Sequence, residues 1–185
     1  MAKKKTELEE GNIFSVRIAE NVWTIAQLCN IFKLPNSRYR QETLSFFNYK
    51  AISEEQIINE LNEIDLSNPF FISTINGHPI KNYGLNIIGT KNVSYKNEPN
   101  FKNDITKSLG LYKNKSRDFE DIVASYFGVL PWDMYAKDDY METSLLPSFE
   151  KRDDVKYMKD FSIDEIQKFL SPDSPKLIKR LKEKQ

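Results

Sequence analysis

The chain has 185 residues, with 27 basic and 27 acidic side chains and a formal net charge of zero at pH 7. This length suits one domain that buries a core without disulfides or metals. A zero net charge argues against general nucleic-acid binding, and no apolar run approaches the length of a membrane span.

The first residues, MAKKKTELEEGN, are basic and then acidic, without the apolar stretch of a secretory signal. We therefore expect a disordered tail over residues 1–10 and a cytoplasmic protein.

Charge is uneven further along the chain. Residues 118–142 hold seven acids and one base, whereas residues 151–185 hold ten bases and seven acids. An acid-rich surface is usually solvated, but it can also steer a basic partner.

The body begins with a predicted hairpin. Residues 11–18 (GNIFSVRI) alternate between two sets of side chains, which is the period of a half-buried strand. Residues 19–21 suit a tight turn, and residues 22–29 (VWTIAQLC) give the second strand, where Trp23 is predicted to be structural. The aromatic-rich residues 44–51 (LSFFNYKA) predict a third strand.

The pattern changes to a helical period over residues 53–64 (SEEQIINELNEI). Ser53 and Gln56 have the spacing of a capping box at the start of this helix. Four aliphatic side chains are predicted to fall on one face of this helix: Ile57, Ile58, Leu61 and Ile64.

Two further strands are predicted over residues 69–77 and 85–93, the second with Gly89 at a bulge. Helices then follow, and Ser162 with Glu165 has the spacing of a cap in the C-terminal part. The predicted helices cover residues 116–128, 162–170 and 174–184. The first of them has Phe119, Ile122, Val123 and Tyr126 on one face and a glycine after its last turn.

These elements predict an α+β fold. We expect a curled, mainly antiparallel sheet that is covered by helices. An SH3-like or barrel-like sheet is one arrangement that fits this description. The body would be a single α+β domain over residues 11–150, and residues 151–185 would form a helical C-terminal extension.

The sequence offers no recognisable catalytic chemistry. His78 is the only histidine and Cys29 the only cysteine, so His–Cys zinc ligation and histidine-based triads lack their components. Cys29 lies in an apolar run and is predicted to be a small buried side chain. Asp133 and Asp139 could pair for acid–base work, but nothing fixes their separation. We predict no catalytic residues, no metal, no cofactor and no enzymatic activity.

The most unusual stretch is YFGVLPWDMYAKDDYMETSLLP, residues 126–147. Trp132 is large and apolar enough to anchor it, and its burial would contribute about 2 to 3 kcal/mol. The residues predicted to have structural roles, besides Trp23, are Pro131, Trp132, Leu145 and Leu146. The residues predicted to bind a partner are Asp133, Tyr135, Asp138, Asp139, Tyr140 and Glu142. For each of these, a solvated edge over a buried aromatic cluster is the alternative.

Two stretches resemble the bacterial family called immunity protein 26. GNIFSVRIAENVWTIAQLCN is similar to its opening hairpin, and YFGVLPWDMYAKDDYMETSLL is similar to its closing segment, with Pro-Trp-Asp as the most specific element. The resemblance covers residues 11–146. Asn12 stands where an acid is common, and Ala26 where a glycine is common.

Membership implies a protein of a polymorphic toxin system that binds and neutralises a cognate toxin, often a nuclease, without catalysis. Two other functions stay open. One is a small non-catalytic nucleic-acid-binding or adaptor module with a barrel-like sheet and a basic tail. The other is an enzyme with a dispersed carboxylate site. The basic tail consists of Lys176, Lys179, Arg180, Lys182 and Lys184.

Overall fold

The structure is a computed structural model that describes residues 7–33, 40–76, 79–94, 119–147 and 149–183. Five strands lie in these ranges: β1 Asn12–Ala19, β2 Val22–Lys33, β3 Arg40–Phe47, β4 Pro69–Asn76 and β5 Asn86–Thr90. Six α-helices accompany them: α1 Glu54–Glu60, α2 Pro79–Tyr83, α3 Phe119–Tyr126, α4 Tyr140–Ser144, α5 Ile163–Phe169 and α6 Pro175–Lys182. The predicted α+β class is confirmed.

The five strands form one antiparallel sheet in the order β4-β3-β2-β1-β5. Each neighbouring pair contains a register shift. Such bulges increase the local twist, so they account for the predicted curl. Within the described residues β4 and β5 are the two edges, so the sheet is open and the barrel-like form is not found there.

The predicted hairpin is confirmed, because β1 pairs with β2 on either side of a turn in which Asn21 has a φ of 57°. The third strand lies earlier than predicted, at Arg40–Phe47 instead of residues 44–51. The chain bends at Asn48, and Ala51 forms an isolated bridge with Trp23. Aromatic content alone did not distinguish strand from bend here.

The first face of the sheet is covered by α3 and residues 132–146. As predicted, the inner face of α3 carries Phe119, Ile122, Val123 and Tyr126, all of which are buried. The Tyr126 ring stacks on Phe70 of β4 at a centroid distance of 3.6 Å. The helix ends at Tyr126, shortly before Gly128, whose φ is 70°. The predicted start at residues 116–118 lies outside the described residues.

The second face of the sheet is covered by α1, whose Ile57 is fully buried. Leu61 and Ile64 also pack there, but Ile58 is 51% exposed, so the four aliphatic side chains do not all face the sheet. The sheet covers only one side of this short helix, and Ile58 lies on its flank. Ser53 Oγ accepts a hydrogen bond from Gln56 N at 3.2 Å, as predicted.

The other half of that predicted capping box differs by one residue. Gln56 Oε1 accepts from Ile52 N at 3.0 Å instead of from the Ser53 amide.

At β5, Ile13 faces Gly89 and Phe14 faces Ile87, so the bulge lies next to Gly89. The predicted Ser162–Glu165 cap of α5 is present in both directions.

The C-terminal residues pack on the body around a small core of their own. Met158, Ile166 and Leu177 form this core, which we call the C-terminal cluster. Lys50 Nζ and Asp154 Oδ2 lie 2.8 Å apart, so they tie the end of the β3 region to residues 152–154.

Candidate partner-binding surface

The end of α3 directs the chain into the predicted contact residues, which lie in residues 133–142, here called the acidic segment. Val129 N and Leu130 N both donate to Ala124 O, at 2.9 and 3.3 Å, so the chain turns back over the last turn of the helix. Pro131 is buried directly after this turn. The acidic segment therefore starts from a fixed point on the first face of the sheet.

Trp132 anchors this start. Its side chain is only 2% exposed, and its Nε1 donates to Glu142 Oε1 at 2.8 Å. Lys151 Nζ lies 4.2 Å from the centroid of the indole ring, within cation–π range. Leu145 and Leu146 are buried at the other end of the stretch. Trp23 lies elsewhere, half-buried on the second face of the sheet, and exchanges two backbone hydrogen bonds with Ala51.

The two tyrosines of the acidic segment form a stacked pair. The rings of Tyr135 and Tyr140 lie 4.2 Å apart with an interplanar angle of 28°. Both side chains are half-buried against the main core, while Met134 and Met141 are buried. The methionines thus fix the segment, and the tyrosines present one partly exposed aromatic surface.

The four acids of the segment have different environments. Asp133 is half-buried, and its Oδ1 accepts from Met158 N at 2.7 Å. Asp138 is 95% exposed and pairs with Lys176 at 2.7 Å. Asp139, 56% exposed, pairs with Lys137 at 2.9 Å. Glu142 accepts from Trp132 and lies 3.7 Å from the Lys151 ammonium.

The basic C-terminal helix docks on the acidic segment. Lys176 Nζ donates to Asp133 O at 2.9 Å and to Asp138 Oδ1 at 2.7 Å. The hydrogen bond and the charge of Lys176 lower the pKa of Asp138. A cavity of about 420 Å³ lies beside this contact, and Lys159, Lys179 and Arg180 also line it.

Sequence reasoning missed Lys176 and Lys151 as partners of the acidic segment. The signal that could have found them is the excess of bases after residue 150 beside an acid-rich stretch, since opposite charges attract. The structure places all six predicted contact residues in one neighbourhood. Their role in binding a partner stays a prediction.

A second cavity, of about 340 Å³, lies where β1 runs past β5, and Arg17, Tyr83 and Glu120 are among its lining residues. Burial raises the pKa of Glu120, with a further contribution from Asp121. Burial also raises the pKa of Tyr83, and the charge of Glu120 adds to it.

Among the described residues, no group of three or more His, Cys, Asp or Glu side chains is placed to hold a metal ion. Cys29 is buried as predicted, and its thiol donates to Thr43 O at 3.2 Å. His78 lies outside the described residues. None of the helices in the described ranges is long and apolar enough to cross a membrane.

Comparison of the chain with family models, with curated proteins and with solved structures gives no match in any of the three. The resemblance to immunity protein 26 therefore depends on the quoted residues alone. It stays a prediction, as does the absence of enzymatic activity.

Proposed function

We propose that the chain is an immunity protein that binds a cognate bacterial toxin, of the nuclease class, and neutralises it by protein–protein contact. The observation that carries this proposal is the construction of the acidic segment. Trp132, directly before the segment, and Met141 within it are buried, while the carboxylates of Asp138 and Asp139 face solvent. A rigid acidic surface with aromatic side chains suits a partner whose substrate is a polyanion and whose own surface is basic.

Rigidity is the second support for the proposal. Two hydrogen bonds hold the segment in place. Trp132 Nε1 donates to the side chain of Glu142, and the side chain of Asp133 accepts from the backbone amide of Met158. A surface that is already ordered loses little conformational entropy when it binds, so more of the contact energy appears as affinity. Toxin neutralisation requires such tight binding.

The test is co-expression with the product of the adjacent gene, scoring growth rescue and co-purification together. We expect rescue of growth and a stable complex that survives size-exclusion chromatography. If both proteins are well expressed and neither rescue nor a complex is found, the immunity function is wrong for that pair.

The alternative, a nucleic-acid-binding module, has one observation in its favour. Lys159, Lys176, Lys179 and Arg180 line one cavity. Asp133 and Asp138 line the same cavity, however, and their charges oppose a phosphate. Binding of a fluorescent DNA duplex and of a single strand at about 50 mM salt tests this alternative. Salt-sensitive binding would favour it, and no binding at low salt would exclude it.

A further inference from the structure

A second acidic surface lies on the opposite face of the sheet, on α1. Two of its side chains, Ile52 and Ile58, are 70% and 51% exposed, the largest exposures among the exposed large hydrophobic side chains of the described residues. Glu55, Ile58 and Asn59 lie on one side of α1 at helical spacings of three and four, and Ile52 directly precedes the N-cap. Single exposed aliphatic side chains are common on any surface, but a group of them with a polar rim is typical of an interaction site.

The charge around these isoleucines is of one sign. Residues 51–65 contain five acids, Glu54, Glu55, Glu60, Glu63 and Asp65, and no base. Glu55 and Glu63 are exposed, and neither forms an ion pair with a described residue. Lys91, a cation that contacts this region, donates to Leu61 O at 2.7 Å. The Lys91 ammonium therefore binds backbone carbonyl groups just after the C-terminal end of α1 and does not pair with these acids.

The helix that carries this second acidic surface is held firmly on the sheet. Ile57 is fully buried beneath it, and the Ser53 cap fixes the start of the helix. Glu60 accepts from the Tyr49 hydroxyl at 2.7 Å, and Glu54 accepts from Asn86 Nδ2 at 3.1 Å. These inward-facing acids hold the helix on the sheet and leave Glu55 and Glu63 to the solvent.

The acidic segment, in contrast, has its charges balanced within the chain. Asp138 pairs with Lys176, and Glu142 lies near Lys151. The carboxylate of Asp133 accepts from a backbone amide. A basic partner that binds there competes with cations that are already in place, which reduces the gain in electrostatic energy.

We propose that the α1 surface, formed by Ile52, Glu55, Ile58 and Glu63, is the principal docking surface for the basic face of the toxin, and that the acidic segment is a second, weaker contact. This inference depends on the proposed function and names the surface that makes the main contact with the toxin. Exposed aliphatic side chains surrounded by acids match the usual anatomy of an interface, with an apolar centre and a charged rim. The partner therefore has an apolar contact patch surrounded by lysines or arginines.

The test measures the dissociation constant of the purified complex for paired variants. The double variant Glu55→Lys with Ile58→Ser changes the α1 surface, and Ile52→Ser is a second, independent variant of it. Asp139→Lys places the same charge change on the acidic segment. Ile178→Ser removes a comparable aliphatic side chain, 40% exposed, from α6.

We expect the double variant to weaken binding by about 100-fold or more and Ile52→Ser by about 10-fold, as for central interface residues. Asp139→Lys should weaken binding less than either α1 variant, and Ile178→Ser, outside both surfaces, should change it by less than about threefold. Circular dichroism and thermal unfolding check that each variant is folded; the altered side chains are exposed.

Three results would overturn the assignment. If the α1 variants bind like the unaltered protein while Asp139→Lys loses binding, the acidic segment is the docking surface and the immunity function survives. If the unaltered protein binds no toxin, the proposed function falls and the assignment falls with it. If light scattering shows an oligomer that the α1 variants convert to a monomer, the occupant is a second copy of the chain.

Discussion

The side chain of Trp132 joins parts of the chain that lie far apart in the sequence. It donates to Glu142 at 2.8 Å and lies under Lys151 at 4.2 Å, and its backbone amide donates to Lys156 O at 2.7 Å. Because the indole is buried, it combines a large apolar contact with a single polar bond. The two contributions can be separated by substitution.

We predict that Trp132→Ala lowers the free energy of unfolding by about 3 to 5 kcal/mol, because it leaves a cavity. Trp132→Phe should cost less, because it keeps most of the apolar contact and loses the bond to Glu142, worth about 2 kcal/mol. Urea denaturation measures both values. Equal losses in the two variants would mean that the polar bond, and not burial, makes the larger contribution.

Asp154 is the residue whose charge contributes most clearly to the pH dependence of stability. Arg152 donates to both of its oxygens, at 2.7 and 3.0 Å, and Lys50 adds a bond at 2.8 Å. The hydrogen bond from Arg152, with the bond from Lys50 and both charges, holds the pKa of Asp154 well below its usual range. In the unfolded chain that pKa is about 3.9.

Because the pKa is lower in the folded state, the stabilisation is present above about pH 4 and is lost as the pH falls through the folded-state pKa. We predict that Asp154→Asn lowers stability near pH 7 by about 1 kcal/mol or less, since the side chain is 43% exposed. The difference from the unaltered protein should shrink below about pH 4. Urea denaturation from pH 2 to 7 measures this, and Asp153→Asn, which removes an exposed neighbouring carboxylate but none of these bonds, is the control.

At the scale of elements, the C-terminal helices behave as a small unit docked on a larger one. Leu177 is buried in the C-terminal cluster together with Met158 and Ile166, and this cluster is separate from the main core. A small core has little stability to lose, so it can open without unfolding the sheet.

We predict that Leu177→Ala, which costs about 2 to 5 kcal/mol at a buried site, removes hydrogen-exchange protection from α5 and α6. Protection of β1 to β3 should remain near that of the unaltered protein. Mass-spectrometric hydrogen exchange on peptides from both regions measures the two outcomes. Loss of protection throughout the chain would instead show that the extension and the sheet unfold as one unit.

The elements that sequence predicted well are those determined by local pattern. The β1–β2 hairpin, the inner face of α3 and the cap of α5 depend on residues within a few positions of each other. The bounds of β3 and the exposure of Ile58 were not predictable in that way. They depend on where the sheet ends and which side of α1 it covers, and both are set by contacts between distant residues.

For the candidate partner-binding surface, too, local features were predictable and contacts between distant residues were not. The burial of Trp132, Leu145 and Leu146 was predictable from their size and apolar character. The docking of Lys176 on Asp138 was not, because 38 residues separate the two and no local pattern links them. The sequence indicated the opposite charges of the two regions but not which residues pair.

At the scale of the whole molecule, an open sheet must protect its two edges against pairing with other chains. The β5 edge is only five residues long, Asn86–Thr90, and offers little to pair with. The β4 edge is longer and apolar. It is partly covered by residues 145–146, which follow the acidic segment, and there Leu146 N donates to Phe70 O at 2.9 Å. Leu146 also packs with Cys29 and Ile72, so a side-chain contact holds this cover in place.

We predict that Leu146→Asp releases the cover and causes self-association, because a carboxylate is costly in that apolar contact and the β4 edge becomes exposed. Light scattering at increasing concentration should show oligomers of the variant and not of the unaltered protein. Leu177→Ala serves as the control, since it removes a buried leucine without uncovering β4. If Leu177→Ala associates to the same extent, loss of stability is the cause; if Leu146→Asp stays monomeric, the β4 edge does not depend on Leu146 for protection.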